Sequence, residues 1–550
     1  MDIQESIKKE LKRIVSEMGV EVNDAEIVLT PSNSPEHGDY ASNLALRKAK
    51  ALKMKPIDLA KKIEVTFHLE GVDHLEACMP GFLNFFLKQD QLGKIISTII
   101  ENGEDYGNLD MGKGVKVDIE YVSANPTGTL HLGHARGAAL GDCLARLYKK
   151  AGYDVTREYY VNDAGVQMDH LASSLMVRYL ELFGENKELG ENDYHGPEII
   201  ELAKMVKEEV GDLYVKDPES HLEEFKAFGG RELLERIKRD LHEFRVDQDV
   251  YSSEKAIRDR GDVEKVLEQL KPYCYEQDGA LWLNTTKDGD DKDRVLVKSD
   301  GHYTYLLPDI AYHNDKFSRG FDLLIDLFGA DHHGYVARLK SSQKDLGHDP
   351  DHLVVSLVQM VRLFKNGEEF KMSKRTGNAI TMKELIEEVG VDSARYFFVS
   401  RSGNSHLDFD IDLAKKLGSE NPVYYAQYTH ARLCGIMHNG EKFLPEDPSG
   451  SLLSTESEKN LLIALKSYPD VIMTATKENE PYKITNYIHD FATSINEFYT
   501  KCRVIDDSDI ALSKQRLGLV KACRIVLKDA LNLIGVFDPE RMISEEKEAK

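Results

Sequence analysis

Residues 115–161 read VKVDIEYVSANPTGTLHLGHARGAALGDCLARLYKKAGYDVTREYYV, and this stretch decides the fold. Val115, Val117, Ile119 and Tyr121 alternate with Lys116, Asp118 and Glu120, the period-two pattern of a strand. The turn-rich SANPTGTLHLGH follows. The run ARGAALGDCLARLYKKAG then has helical composition and closes on basic residues and Gly152, as a helix C-terminus does. Val155–Val161 is apolar and β-branched enough for a second strand. Strand, glycine-bearing loop, helix and strand make one βαβ unit, the opening of a doubly wound, Rossmann-like α/β parallel sheet.

Working outward, the upstream residues form a small mixed α/β module. Ile7, Leu11, Ile14 and Val15 recur at helical spacing, Asn43–Leu52 and Pro56–Ile63 read as helices, and FLNFFL at 82–87 reads as a strand. Downstream, residues 181–272 are rich in Glu and Lys and carry helical patterns, so they read as an insertion between two halves of the sheet. GALWLN and RVLVKS read as paired strands around the acidic turn DGDDKD, and sheet-type segments resume at Leu323–Gly329 and Leu353–Val358. From Leu413 onward the pattern is almost wholly helical. The expected organisation is an α/β module at 1–110, the sheet domain at 111–412 with its helical insertion 181–272, and an all-α bundle at 413–550. The closing EEKEAK reads as a frayed end.

At 550 residues the chain exceeds one compact core. A hydrophobic share of 41% and a charged share of 30% suit a globular chain rather than a low-complexity one. No apolar run approaches the ~18 residues of a membrane span. The N-terminus, MDIQESIKKELKRIV, lacks the apolar core of a signal peptide. A cytoplasmic location without membrane attachment is expected. The six cysteines stand too far apart for a CxxC zinc site, and a disulfide framework is not expected of such a chain. The net charge of −24 speaks against a nucleic-acid partner if charge is averaged. Its placement matters more: residues 41–62 hold seven basic residues against one acid.

Two motifs carry chemistry. His131-Leu132-Gly133-His134 sits between strand and helix, where unpaired N–H groups and the positive end of the helix dipole attract anions. Two imidazoles there add donors for phosphate oxygens, and Gly133 leaves room for a flat ring near the backbone. A pair of capping or core histidines is the plainer reading. Lys371-Met372-Ser373-Lys374-Arg375 sets three cations in five residues, suited to oxygens that gain charge as a diphosphate departs. Taken alone it is an ordinary solvated basic loop.

Together HLGH and KMSKR resemble the two signatures of class I aminoacyl-tRNA synthetases. The flanking residues resemble the arginyl-tRNA synthetase family: IEYVSANPTGTLHLGHARGAALGDCLARLYKKAGYDVTREYYVNDAG, LFGADHHGYVARLK, FKMSKRTGNAITMKELIEEVGVDSARYFFV, NPVYYAQYTHAR and DALNLIGVFDPERM. The similarity spans nearly the whole chain and is weakest in 181–272. Leu132 in the first signature and Arg375 in the second depart from the class pattern, at positions the phosphate chemistry does not obviously need.

The resemblance implies activation of L-arginine by ATP with Mg²⁺, transfer of the arginyl group to tRNA(Arg), no structural metal and a monomer. His131, His134, Lys371 and Lys374 would hold the phosphates. Gly133, Gly329, Asp331, Met372 and Ser373 would line the ATP site. Glu120, Ser123, Asn125, Tyr305, Asp309 and His332 would bind arginine, with His332 at a position that holds Gln in some relatives. Tyr305 and Asp309 stand one helical turn apart, so both can face one pocket. Phe82 and Asn84 would read a D-loop base in the tRNA elbow, and Tyr424, Tyr428 and Arg432 would meet anticodon bases. Plainer roles remain for each: solvated strand residue, turn former, helix cap or core aromatic. Three rival readings stay open here. They are a small-molecule nucleotidylyltransferase, another class I synthetase, and a tRNA-binding scaffold with a dead active site.

Overall fold

The computed structural model describes residues 3–32, 37–332, 334–370 and 380–542. Its central sheet has five parallel strands. In spatial order they are Leu353–Val358, Leu323–Gly329, Lys116–Glu120, Asp154–Val161 and Val250–Ser253. The chain starts in the middle, runs out to one edge, then returns to build the other side. Strand order therefore reverses between Lys116–Glu120 and Leu323–Gly329, and the carboxyl ends of these two strands frame the crevice where such sheets bind ligands.

The helix Leu132–Lys150 follows the first of these strands. Its inner residues are small, Ala135, Gly137, Ala138, Ala139 and Gly141, and all are buried. The reason is close approach: a Cβ on Gly141 would lie 2.2 Å from the Tyr121 ring. Any larger residue there would push the helix off the sheet.

The insertion departs from the sequence reading in one respect. Helices Val166–Glu181, Pro197–Val210 and Leu222–Glu243 share a separate core around Leu175, Tyr179 and Phe225. Val250–Ser253, inside the stretch read as helical insertion, is instead the edge strand of the main sheet. Four residues with two tyrosine or valine positions are too few to show a period. Ala280–Leu283 and Arg294–Val297 form the expected antiparallel pair about the acidic turn, and Cys274–Gln277 adds a third strand that the sequence reading did not include.

Upstream, a four-stranded antiparallel sheet has the order Leu29–Pro31, Tyr40–Ser42, Phe82–Leu87, Val72–Cys78. The helix Gln89–Asn102 then packs on the C-terminal bundle, against Glu456–Glu478 and Ile510–Leu533. Pro422–Asn439 and Tyr482–Lys501 complete that bundle.

One buried guanidinium joins bundle and sheet. Arg395 is fully buried and donates to the carbonyls of Ile534 (2.9 Å), Phe244 (3.0 Å) and Arg245 (3.3 Å). It also pairs with Asp142 on the helix that starts at the two histidines. Gly535, at φ +68°, makes room: a Cβ would lie 2.3 Å from the guanidinium carbon. All six cysteines are free thiols. Among the described residues no helix is long and apolar enough to cross a membrane.

Candidate active site

His131 is the N-cap of the helix Leu132–Lys150, and its Nδ1 accepts the N–H of Gly133 at 3.1 Å. His134 returns the contact, its Nδ1 accepting the N–H of His131 at 3.2 Å. This is a capping box built from imidazoles. The rings stack with centroids 3.7 Å apart. Burial lowers the pKa of both and takes His134 down to about 4, so both rings are neutral at pH 7. A neutral ring whose Nδ1 accepts must carry its proton on Nε2. Each ring thus keeps one N–H donor directed away from the backbone, at a helix end that favours anions. A Cβ on Gly133 would press on the His131 ring at 3.1 Å.

Residues 371–379, and with them Lys371, Met372, Ser373 and Lys374, lie outside the described residues. Their neighbours are anchored. Phe370 donates its N–H to Leu363 at 2.7 Å, and Met382 donates to Leu130 at 2.8 Å. Thr381 pairs with His131 in an antiparallel bridge. The chain just after the second motif is therefore tied to the first. Gly329 ends its strand opposite Val358, and Asp331 is described through its backbone alone, in the turn Ala330–His332.

On the strand Lys116–Glu120 that leads into this helix the structure gathers carboxylates. Glu120, which the sequence allowed as a solvated strand residue, is buried, and so is Asp118 on the same face of the strand. A fully buried ammonium, Lys316, explains them. It pairs with Glu120, with Asp326 at 2.8 Å and with Asp118 at 3.3 Å. Ser123 donates to Glu120 at 2.8 Å and accepts the N–H of Tyr160 at 3.0 Å. His313 sets Nδ1 on the carbonyl of Asp309 (2.7 Å) and Nε2 on Asp326 (2.8 Å), so both nitrogens face acceptors. Burial works against charge on that ring, the Asp326 carboxylate outweighs it, and the pKa is raised. Glu120, His313 and Asp326 also have the spacing of a metal site, but the Lys316 ammonium already lies among them.

Asp309, in the first turn of Leu306–Ser318, is surrounded by protein atoms yet keeps part of its surface open. That is the position of a pocket floor. Burial pushes its carboxyl up to about 6, against a hydrogen bond from Tyr335 (2.5 Å) and the charge of His313. Glu254 and Glu120 raise it further as like charges.

Lys316, His313, Asp118 and Asp326 were not found by sequence reasoning, nor were Tyr335 and Glu254. Tyr335 stands in GADHHGY, beside residues already singled out. Glu254 is 6% exposed although it opens a short surface helix, Glu254–Asp259; Arg258 donates to it at 2.8 Å. Nothing but an acid after VYSS marked it.

Other expected residues are placed differently. Tyr305, at the N-cap of the same helix with a helical backbone, is 77% exposed, so it stands at the surface while Asp309 is enclosed. Asn125 pairs with Gln167. His332 is exposed, within 5.9 Å of the Phe328 ring and 6.1 Å of the Tyr335 ring.

The two outer surfaces divide similarly. Phe82 is exposed. Asn84, on the same strand face, departs from the expectation of an amide offered to RNA: it is 3% exposed and donates to Cys78 Sγ at 3.3 Å, since it lies in an inner strand of the sheet. In the bundle, Tyr424 and Tyr428 stack 5.8 Å apart at 10°. Arg432 lies over Tyr428 (4.8 Å) and Tyr499 (4.9 Å) and reaches Asn496. This is a half-exposed ladder of rings and one cation. His430, two residues on from Tyr428, is buried instead.

The 3-2-1-4-5 parallel sheet and the histidine-capped helix at its switch point lie in a stretch that matches a class I tRNA synthetase catalytic domain. The family model "tRNA synthetases class I (R), catalytic domain" matches residues 95–432. "Arginyl tRNA synthetase N terminal domain" matches 1–87 and "DALR anticodon binding domain" matches 426–542. The chain is 46% identical to an arginine–tRNA ligase of Bacillus subtilis over 550 residues, covering 98% of this chain and 99% of the relative. It is 46% identical to one of Geobacillus thermodenitrificans, with the same coverage of both chains. The fold also matches the arginyl-tRNA synthetase of Thermus thermophilus, with a TM-score of 0.74 at 21% identity over 98% of this chain and 100% of that one. The chain belongs to the arginyl-tRNA synthetase family.

Proposed function

We propose that the chain is an arginine–tRNA ligase. The carboxylate of L-arginine attacks the α-phosphorus of ATP, the bond to the β-phosphate breaks, and arginyl-adenylate and diphosphate form. A terminal ribose hydroxyl of tRNA(Arg) then attacks the adenylate carbonyl, and AMP leaves. The observation that supports this reading is the gathering of Asp309, Glu254 and Glu120 in the same sheet domain whose first helix opens on the histidine cap. One set offers acceptors for a cationic side chain, the other donors for a phosphate.

Asp309 and Glu254 hold the guanidinium, for which carboxylates are the strongest partners. Glu120, Ser123 and Asn125 take the substrate's ammonium end, with Tyr305 and His332 at the pocket mouth. His131 and His134 donate Nε2–H to phosphate oxygens as charge grows on them. Gly133, Gly329, Asp331, Met372 and Ser373 line the nucleotide, and Lys371 and Lys374 act on the departing diphosphate. No side chain is a covalent nucleophile; positioning and charge stabilisation supply the rate. Mg²⁺ entering with the nucleotide would neutralise the phosphates.

The labour divides among 1–110 for the tRNA elbow, 111–412 for the chemistry and 413–550 for the anticodon. Phe82 stacks on a base, and Asn84 joins it by leaving Cys78. Tyr424, Tyr428 and Arg432 receive anticodon bases. A cytoplasmic monomer belongs to the same reading.

ATP–diphosphate exchange across the twenty amino acids, with and without total tRNA, tests it. Exchange with arginine alone is expected. Exchange with another amino acid keeps the class and refutes the pocket. No exchange from folded protein in either condition refutes the ligase reading.

A further inference from the structure

Tyr160 lies on the strand Asp154–Val161 and is 9% exposed. Its ring packs on Tyr312 at 4.4 Å between centroids. Its backbone N–H donates to Ser123, which in turn donates to Glu120. Tyr312 stands three residues after Asp309 on one helix, so the stack sets Tyr160 against the helix face that carries Asp309. The ring is thus held beside the carboxylates by the Tyr312 stack and by the backbone bond to Ser123.

Its hydroxyl is poorly satisfied. The atom is buried and meets no group in full hydrogen-bond geometry among the described residues, the Glu254 carboxylate being a looser partner for its proton. Most buried tyrosines find a better-placed partner. The nearby charged groups are all acids. Asp309, Glu254 and Glu120 act on it, and together with burial they raise its pKa, so the phenol stays protonated. A phenol among carboxylates has one proton to give and lone pairs to offer. The acids can take the proton. They have no N–H to fill the lone pairs.

We propose that Tyr160 is a substrate contact of the arginine pocket: its oxygen accepts an N–H of the bound guanidinium while its own proton turns to a neighbouring carboxylate. The inference rests on the reading of this pocket as the arginine site. A guanidinium carries five N–H donors in a rigid plane, more than two carboxylates can take in the same plane. A neutral acceptor at the remaining edge completes the set without adding a fourth charge to a pocket already dense in acids. The contact would fill the lone pairs that the acids leave open.

The test is Tyr160→Phe, which keeps the ring and its stack on Tyr312. Arginine-dependent ATP–diphosphate exchange is measured in the full-length enzyme with tRNA present, together with the KM for ATP and the thermal midpoint. Asp309→Asn is run in parallel. The expected result for Tyr160→Phe is a KM for arginine raised about tenfold or more, as for loss of a hydrogen bond to a charged group, with the KM for ATP and the thermal midpoint unchanged. An unchanged KM for arginine in Tyr160→Phe, while Asp309→Asn raises it, overturns the inference and leaves the pocket standing. An unchanged KM in both variants overturns the pocket reading itself. Equal losses for arginine and ATP assign Tyr160 a structural role and also overturn the inference.

Discussion

The rings of His131 and His134 stack 3.7 Å apart, and each turns its Nδ1 back to a backbone N–H of the same helix end. The two residues hold each other in one tautomer. His131→Asn keeps a cap acceptor and loses the outward Nε2–H. His134→Asn loses the donor as well. Each is expected to lower kcat for exchange by about 10²–10³, the effect of removing one donor from a developing anion, with the KM for arginine changed less than about twofold. Steady-state exchange against arginine checks both numbers.

The same burial predicts a pH effect on stability. The folded pKa of His134 is about 4, below its unfolded value of 6.5. The unfolded chain therefore binds the proton first. Stability from the neutral ring is present above pH 6.5 and is lost as pH falls toward 4. Urea midpoints between pH 7 and 4.5 are expected to fall more steeply for the wild type than for His134→Asn. Parallel curves would refute the neutral, buried ring.

Asp309 gives the substrate its own pH dependence. Its carboxyl is held at about 6 in the empty site, chiefly by burial. Arginine is a cation and needs the ionised form. kcat/KM for arginine is expected to fall about tenfold per pH unit below that value and to be level above it. Asp309→Asn removes the break and raises the KM for arginine far more than that for ATP. A break that survives the substitution would assign it to another group.

Lys316 pairs with Asp118, Glu120 and Asp326 and has no water-exposed surface of its own. Lys316→Met leaves those acids uncompensated. The expected loss is about 3–5 kcal/mol of unfolding free energy, the usual cost of removing one partner from a buried ion pair. The KM for arginine rises with it, because Glu120 is no longer held. Urea denaturation and exchange kinetics on one preparation test both outcomes.

Phe82→Ala and Asn84→Ala separate RNA contact from folding. Phe82 is exposed, so its loss lowers kcat/KM for tRNA by about 5- to 150-fold, the worth of one base stack, with little change in thermal midpoint. Asn84 is buried on Cys78, so its loss lowers the midpoint as well. Unchanged charging in both variants would refute the elbow reading.

The parallel sheet, the histidine-capped helix and the all-helical tail were legible because period, turn residues and motif spacing are local properties. Leu323–Gly329 and Leu353–Val358 fall where the apolar runs placed them. What escaped was set by distant partners. Glu120 reads as a solvated residue until Lys316, 196 positions away, is seen beneath it. Asn84 and Phe82 share a strand face, yet only one is exposed, because neighbouring strands cover the other. Tyr305 and Asp309 share a helical phase, yet the first, at the helix end, is exposed and the second is enclosed. Glu254 carries no local pattern at all.

The clamp of Arg395 bears on how such a chain can be rebuilt. The three sequence regions follow one another like exchangeable parts. The guanidinium nevertheless takes the carbonyls of Phe244 and Arg245 from the insertion, that of Ile534 from the tail, and Asp142 from the helix of the two histidines. A bundle grafted from a relative would have to bring its own glycine at 535 and the same carbonyl direction at 534. Without them the graft would leave a charge stranded behind the catalytic helix, and a chimera chosen for its anticodon would fail first in its chemistry.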